Sequence, residues 1–487
     1  MTKTTRASRR TPIPVLLALL LPALSPAPGR SAELRVGAAT TSITPDRPVA
    51  LSGQMTTRIA EQVESPVTAT ALAIEARQGD EVVDQAILVS CDLVAIREGL
   101  VDRVRRRLGD RLPDFDPRKL ILSATHTHTA PVLVEGQYDL PEDGIIRPAE
   151  YVEFLVDRVA EAAATAWEGR APSTVGWGLG HAVVAQNRRA VYDDGRAVMY
   201  GPTDRPDFRD LEGFEDHGVE VLFFWGEDGA LLATAINVAC PSQEVEGRSA
   251  VNADFWHQVR ESLRARHGEQ LHVLGWTGAA GDQSPHLMFR ERAEERMRTL
   301  RGLDRLDELA RRVVRAWEEA FEGARQEIRD DVPMAHTVRT IELPVRRVTE
   351  EEYEDATEQV EALSADPASR RRMLWHQEVV DRYDRQRSGE VAPYAMELHA
   401  IRIGDVAIAT NDFELFTSYG LQMKARSRAL QTFVIQLAGP GTYLPTPRAV
   451  QGGGYSAIVE SSVVGPEGGQ VLVDRTVEAI NALWPEP

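Results

Sequence analysis

Cysteine is scarce. Cys91 and Cys240 are the only two in 487 residues, which excludes a disulfide framework. Each follows an apolar run, QAILVSC and LLATAINVAC, so the pair reads as two buried free thiols, with a Cys91–Cys240 disulfide outside the cytoplasm as the alternative. Positive charge is also in short supply: 55 Lys and Arg stand against 74 Asp and Glu, a formal net charge of -19. That balance excludes a protein built to track a phosphate backbone, and no nucleic-acid partner is expected. Beyond the first thirty-odd residues no apolar run approaches the roughly 18 residues a membrane helix needs, so no stable membrane insertion is expected. Internal repeats and long Pro/Ser-rich linkers are missing too, so one large domain accounts for the chain most simply. Nothing in the sequence fixes an oligomeric state.

What is present begins with an N-terminus, MTKTTRASRRTPIPVLLALLLPALSPAPGRSAEL, in export-leader order. Lys3, Arg6, Arg9 and Arg10 precede an apolar segment from Pro14 to Leu24, and small residues follow. Residues 1–32 are expected to be a signal peptide, with Ala27, Gly29 and Ala32 as alternative cleavage points, and the protein to work in the periplasm or as a secreted protein. An uncleaved anchor is the alternative.

A hydrophobic content of 43% permits a substantial core. VTATALAIEA and DQAILVSCDLVAI read as neighbouring strands, and REGLVDRVRRRLGDRL has helical spacing before KLILSATHTH returns to strand. RPAEYVEFLVDRVAEAAATAWEG reads as a helix closed by Gly, and GVEVLFFWGEDGALLATAINVAC as a hairpin turning at GEDG. The expected fold is α/β: a large mixed-sheet layered domain over residues 33–487, with a charged helical insertion around 289–385.

Two stretches carry chemistry. SATHTHTAP puts His126 and His128 two residues apart just after a strand, where alternate side chains point the same way and can converge on one ion. Hydrogen-bonded histidines at a loop are the bland alternative. GAAGDQSPH, also after a strand, offers Asp282 and Ser284 among small residues that let a ligand approach; Ser284 is a candidate nucleophile or a turn residue.

With VGAATTSITPD, SATHTHTAP, QNRRA, GAAGDQSPHL, FELFTSYGLQMKARS and YLPTPRAVQGGGY in this order, the chain resembles the neutral and alkaline non-lysosomal ceramidase family from about Leu34 to Trp484. The resemblance implies a neutral-ceramidase-like fold and a zinc-dependent amidase. It assigns His126, Glu414 and Tyr443 as zinc ligands and His128, Arg188 and Tyr455 as substrate-facing groups, with Ser284 at a position some descriptions give to a nucleophile. A tyrosine ligand would bind as phenolate.

One piece departs from the pattern. Where the family carries a second zinc histidine, this chain has NVACPSQ, Asn237 to Gln243. Candidate substitutes are His217, His257, His286 and Cys240, with Gln243 as an amide oxygen donor. The expected mechanism is metal-activated water attacking an N-acyl carbonyl, with His128 carrying a proton and Arg188 and Tyr455 holding substrate oxygens. The expected substrate is a small or polymer-derived acyl amide rather than long-chain ceramide. Two alternatives stand beside it: a serine-nucleophile, metal-assisted esterase or amidase, and an exported non-catalytic binding protein that has lost its metal.

Overall fold

The computed structural model describes residues 2, 31–109 and 111–485. Most of the expected leader therefore lies outside the described residues; of positions 1–32 only Thr2, Ser31 and Ala32 are described, and Ser31 and Ala32 begin the first strand.

Twelve strands form one branched sheet. In chain order they are β1 (Ser31–Ser42), β2 (Thr68–Gln78), β3 (Glu81–Cys91), β4 (Leu120–Ala124), β5 (Ala171–His181), β6 (Gly218–Gly226), β7 (Leu231–Val238), β8 (His272–Thr277), β9 (Asp331–Leu343), β10 (Tyr394–Ile403), β11 (Val406–Thr410) and β12 (Gln431–Ile435). β1 is the branch point: one edge pairs with β2, while the other is shared between β9 at Ser31 to Glu33 and β5 at Leu34 to Val36. Three limbs leave it, running β2-β3-β4, β5-β6-β7-β8 and β9-β10-β11-β12.

The limbs face one another across a shared apolar interior. Leu72, Ile74 and Leu88 come from the first limb, Leu222, Phe224 and Leu274 from the second, and Ile401, Ile408 and Phe433 from the third. Strands buried on both faces lose the apolar-polar alternation, which is why LILSA and VAIAT read as continuous runs. Helices cover the outside: Pro148–Glu168 over β1 and β2, Phe255–His267 and Arg305–Ala324 over the second limb, and Thr417–Arg426 with Pro466–Asn481 over the third. The Arg305–Ala324 helix lies directly on β5, where a Cβ at Gly180 would sit 1.9 Å from the carbonyl oxygen of Ala316.

The hairpin at GEDG and the Pro-started, Gly-ended helix form as expected. The charged 289–385 region divides differently. Its helices are Glu291–Arg301, Arg305–Ala324, Glu350–Leu363 and Arg370–Ser388, and β9, which lies between the second and third, belongs to the main sheet. The Arg305–Ala324 helix buries Leu309, Val313, Trp317 and Ala320, so its charges are the solvent face of a core helix. Among the described residues no helix is long and apolar enough to cross a membrane.

Candidate active site

Each limb ends in a parallel pair, β3 with β4, β7 with β8, and β11 with β12. Parallel neighbours send their following loops out at the same end, and ligands characteristically bind beyond the carboxyl ends of such strands. The loop after β4 carries His126 and His128, the loop after β7 carries Gln243 and Glu246, and the loop after β11 carries Glu414. Tyr443, beyond β12, pairs directly with Glu414 in a short parallel bridge.

His126 holds a left-handed backbone, φ 69°, unusual for any residue but glycine. Its amide donates to Leu93 O at 2.9 Å, and its Nδ1 lies 2.6 Å from Val94 O. A carbonyl only accepts, so Nδ1 carries the proton and Nε2 presents a lone pair. That Nε2 faces Glu414 Oε2 at 3.3 Å and His128 Nε2 at 3.2 Å.

His128 Nε2 is an acceptor as well. The Gln243 amide nitrogen approaches it at 3.2 Å, and the amide is oriented because its Oε1 accepts from Arg188 Nη1 at 2.9 Å. His128 Nδ1 lies 3.2 Å from Glu246 Oε2, an ion-pair contact too poorly aligned to count as a hydrogen bond. The ring is seated against Gly53, where a Cβ would come within 2.5 Å of His128 Cγ. Burial pushes the His128 pKa down, against the opposing pull of Glu246. Burial pushes the Glu414 pKa up, but the net direction is down: a proton on His126 Nε2 would pair with the carboxylate, and Arg188 and Tyr443 lie behind it.

Arg188 stands behind Tyr443 rather than in the cavity. Its Nη2 donates to the Tyr443 hydroxyl at 3.0 Å and to Gly281 O at 3.0 Å, and Nη1 is spent on Gln243. The expectation of a substrate-facing Arg188 is corrected accordingly: both terminal nitrogens are engaged in holding Tyr443 and Gln243, its Nε is buried without a partner, and the residue does not line the cavity. Burial drives the Tyr443 pKa well up, while Arg188 works in the opposite direction.

The cavity measures about 150 Å³ and is lined by His126, His128, Glu414, Tyr443 and Tyr455 among others. Tyr455 packs edge-on against Tyr443 with ring centroids 5.8 Å apart. Burial raises its pKa to about 12, so its hydroxyl stays a donor, and that hydroxyl has no hydrogen-bond partner among the described residues.

Ser284 and Asp282 are buried and do not line this cavity. Ser284 Oγ accepts from the Tyr200 hydroxyl at 3.0 Å and from the His286 amide at 3.1 Å. Asp282 accepts from Thr417 Oγ1 at 2.7 Å and Asn187 Nδ2 at 3.0 Å, tying loops of two limbs together. The structure does not bring the proposed substitute ligands to His126. His217 points to solvent and Glu215 at 3.3 Å; His257 lies on its helix away from the cavity wall. Cys240 is a buried free thiol whose pKa burial pushes well up, and Cys91 is likewise free. His286 reaches Glu246 at 3.2 Å, not the His126 cluster. Sequence reasoning missed Glu246, Arg97, Arg371 and Trp375; the acidic spacing in PSQEVEG was the only signal for the first.

Among the described residues no group of three or more His, Cys, Asp or Glu side chains is arranged to hold a metal ion. The donors that do meet are one His, one Glu and one Tyr, a count of three that suits a catalytic zinc with an open position. A buried lone pair on His126 Nε2 set 3.3 Å from a carboxylate is repulsive unless a proton or cation lies between them, so these donors fit a divalent ion chemically.

No family model and no curated protein matches the sequence. The fold is that of neutral ceramidases. The chain is similar to the crystal structure of neutral ceramidase from Pseudomonas aeruginosa, with a TM-score of 0.67 at 16% identity over 94% of this chain and 76% of that one. It is similar as well to a ceramidase complexed with C2, with a TM-score of 0.65 at 15% identity over 93% and 75% of the two chains. At such identity the likeness establishes architecture alone.

Proposed function

We propose that the chain is an exported hydrolase of N-acyl amide bonds that uses zinc held by His126, Glu414 and Tyr443. The observation that carries this reading is the convergence of the His126 and His128 Nε2 atoms, 3.2 Å apart, with a Glu414 carboxylate oxygen 3.3 Å from His126 Nε2. Bound there, zinc supplies a Lewis acid for the scissile carbonyl and lowers the pKa of water.

The remaining work falls to the chain. His128, neutral because burial lowers its pKa, takes a proton at Nε2, with the Glu246 carboxylate beside Nδ1 to stabilise the imidazolium. The same nitrogen returns the proton to the departing amine, which leaves as a neutral group. Tyr455 offers its unpartnered hydroxyl to a substrate oxygen. Arg188 holds Tyr443 and Gln243 in place and lowers the cost of a phenolate. Ser284 Oγ donates to no base among the described residues and does not line the cavity, so a water nucleophile is favoured over an acyl-enzyme. A cavity of about 150 Å³ suits a small acyl amide rather than a long-chain lipid.

Elemental analysis of the purified protein tests this. About one zinc per chain is expected, lost in His126→Ala and Glu414→Ala together with hydrolysis of N-acyl substrates. A protein that holds no metal even after purification with added zinc would remove the hydrolytic reading and favour an exported binding protein.

A further inference from the structure

Most arginines of this chain that leave the surface find an acceptor. On the helix after β3, Arg103 pairs with Glu153, Arg105 with Glu397 and Arg107 with Asp157. Buried Arg189 and Arg260 are matched by Glu212 and Asp92. Three half-buried arginines, Arg97, Arg298 and Arg371, break this rule among the described residues, and two of them, Arg97 and Arg371, line the cavity that holds His126 and Glu414. Arg97 lies in the loop leaving β3, and Arg371 in the first turn of the Arg370–Ser388 helix. Both are half-buried, and neither side chain has an ion pair or hydrogen bond among the described residues.

Two like charges in one small cavity repel, and water access is already reduced there. Burial, then the positive charge of Arg371, pushes the Arg97 pKa down, which places the two guanidiniums within mutual electrostatic reach. Of the carboxylates that share the wall, Glu460 pairs with His376 at 3.3 Å, and Glu414, which faces His126 at 3.3 Å, offsets part of the Arg97 shift without bonding to either guanidinium. What is missing is an anion. Guanidinium forks match planar oxyanions bidentately, and a pair of them with no protein acceptor is arranged for one brought by a ligand.

We infer that Arg97 and Arg371 form a substrate subsite for a carboxylate, so that the amide cleaved is that of an N-acylated amino acid. The inference rests on the hydrolase reading for the word substrate, but the subsite stands on the two arginines alone. Cavity size ties the anion to the amide: a ligand filling about 150 Å³ that touches His126 and Glu414 also reaches the arginine wall, so its charge sits a few bonds from the scissile nitrogen. The carboxylate of an amino acid is two bonds from that nitrogen. Trp375, its ring tilted against Tyr455 with centroids 5.5 Å apart, gives the same wall an apolar face for a side chain.

Calorimetric titration of the full-length protein with N-acetylglycine, neutral N-acetylglycinamide and inorganic phosphate tests the subsite, with released glycine or glycinamide assayed in the same samples. N-acetylglycine is expected to bind at least about tenfold tighter than its amide, the difference falling below about threefold in Arg97→Met and in Arg371→Met. Wild-type protein supplies a check that needs no variant: raising the salt should weaken the acid and leave the amide unchanged. Equal binding of acid and amide overturns the subsite. Phosphate binding more tightly than N-acetylglycine, and lost in both variants, overturns the carboxylate assignment. Preferred binding of the acid without any glycine released leaves the subsite standing and sinks the hydrolase reading. Equally fast cleavage of both amides does the reverse.

Discussion

His128 Nδ1 and Glu246 Oε2 lie 3.2 Å apart, and the other oxygen of the same carboxylate lies 3.2 Å from His286 Nε2. One half-buried carboxylate thus lies against two imidazoles, of which His128 lines the cavity and His286 does not. The His128 contact is not aligned as a hydrogen bond, but a negative charge beside Nδ1 favours the tautomer with its proton there and Nε2 free to accept another.

Replacing that carboxylate by an amide keeps shape and removes charge. Glu246→Gln is expected to lower kcat on an N-acyl substrate by about 10²-fold, the scale of a lost general-base contribution, while zinc content stays at the wild-type level. Zinc loss in this variant, measured by elemental analysis, would place Glu246 in the metal site instead.

Ser284→Ala separates the two nucleophile readings. Its hydroxyl is buried and already accepts from Tyr200 and from the His286 amide. The variant is expected to retain activity within about threefold and to lose about 1–2 kcal/mol of stability from two donors left without a partner. Loss of all turnover, with a covalent acyl adduct trapped on the wild type by mass spectrometry, would restore the serine.

The strand-then-loop character of SATHTHTAP was legible because LILSA is a short apolar run and a histidine pair at that spacing needs only a turn to converge. Glu414 was legible as a carboxylate in an apolar context that demanded a partner. The substitute-ligand search went astray for a topological reason. His217 ends just before β6, which does pair with β7, yet the ring turns outward to Glu215. Proximity of strands does not fix the direction of a side chain beyond their ends. Arg97 and Arg371 were invisible for the opposite reason: each belongs to a stretch that reads as charge-rich helix, REGLVDRVRRRLGDRL and SRRRMLW, where solvated faces are the rule, although Arg97 lies in the loop before its helix. Only the closing of three limbs around one cavity distinguishes them from their neighbours.

The loop carrying His126 is anchored by a buried ion pair that the sequence does not signal either. Arg260 Nη1 and Nη2 reach Asp92 Oδ2 and Oδ1 at 2.6 and 2.9 Å, and Asp92 also accepts from Thr68 N and from Thr125 Oγ1, next to His126. Arg260→Met leaves the Asp92 charge buried and unpaired. Destabilisation of about 3–5 kcal/mol in urea unfolding is expected, as for other buried pairs broken on one side. A change within about 0.5 kcal/mol would show that Thr68 and Thr125 suffice to hold the carboxylate.

Acid should unfold the protein through its buried histidines. His272, at the start of β8 with Nδ1 2.9 Å from Thr40 Oγ1, has its pKa pushed down to about 4, first by burial and then by the Arg264 charge. His336 and His399, 3.0 Å apart between β9 and β10, are lowered for the same leading reason. The folded pKa of His272 lies below its ordinary value near 6.5, so between those limits the unfolded chain binds the proton more tightly. The stability owed to neutral His272 is therefore complete above about pH 6.5 and lost as the pH falls toward 4, a change of about 3 kcal/mol. Urea midpoints measured across that window should decline for the wild type and decline less steeply for His272→Gln, whose amide keeps a partner for Thr40 without titrating. Identical slopes would mean that His272 is protonated in the folded state, and that the buried pair at His336 and His399 carries the acid sensitivity instead.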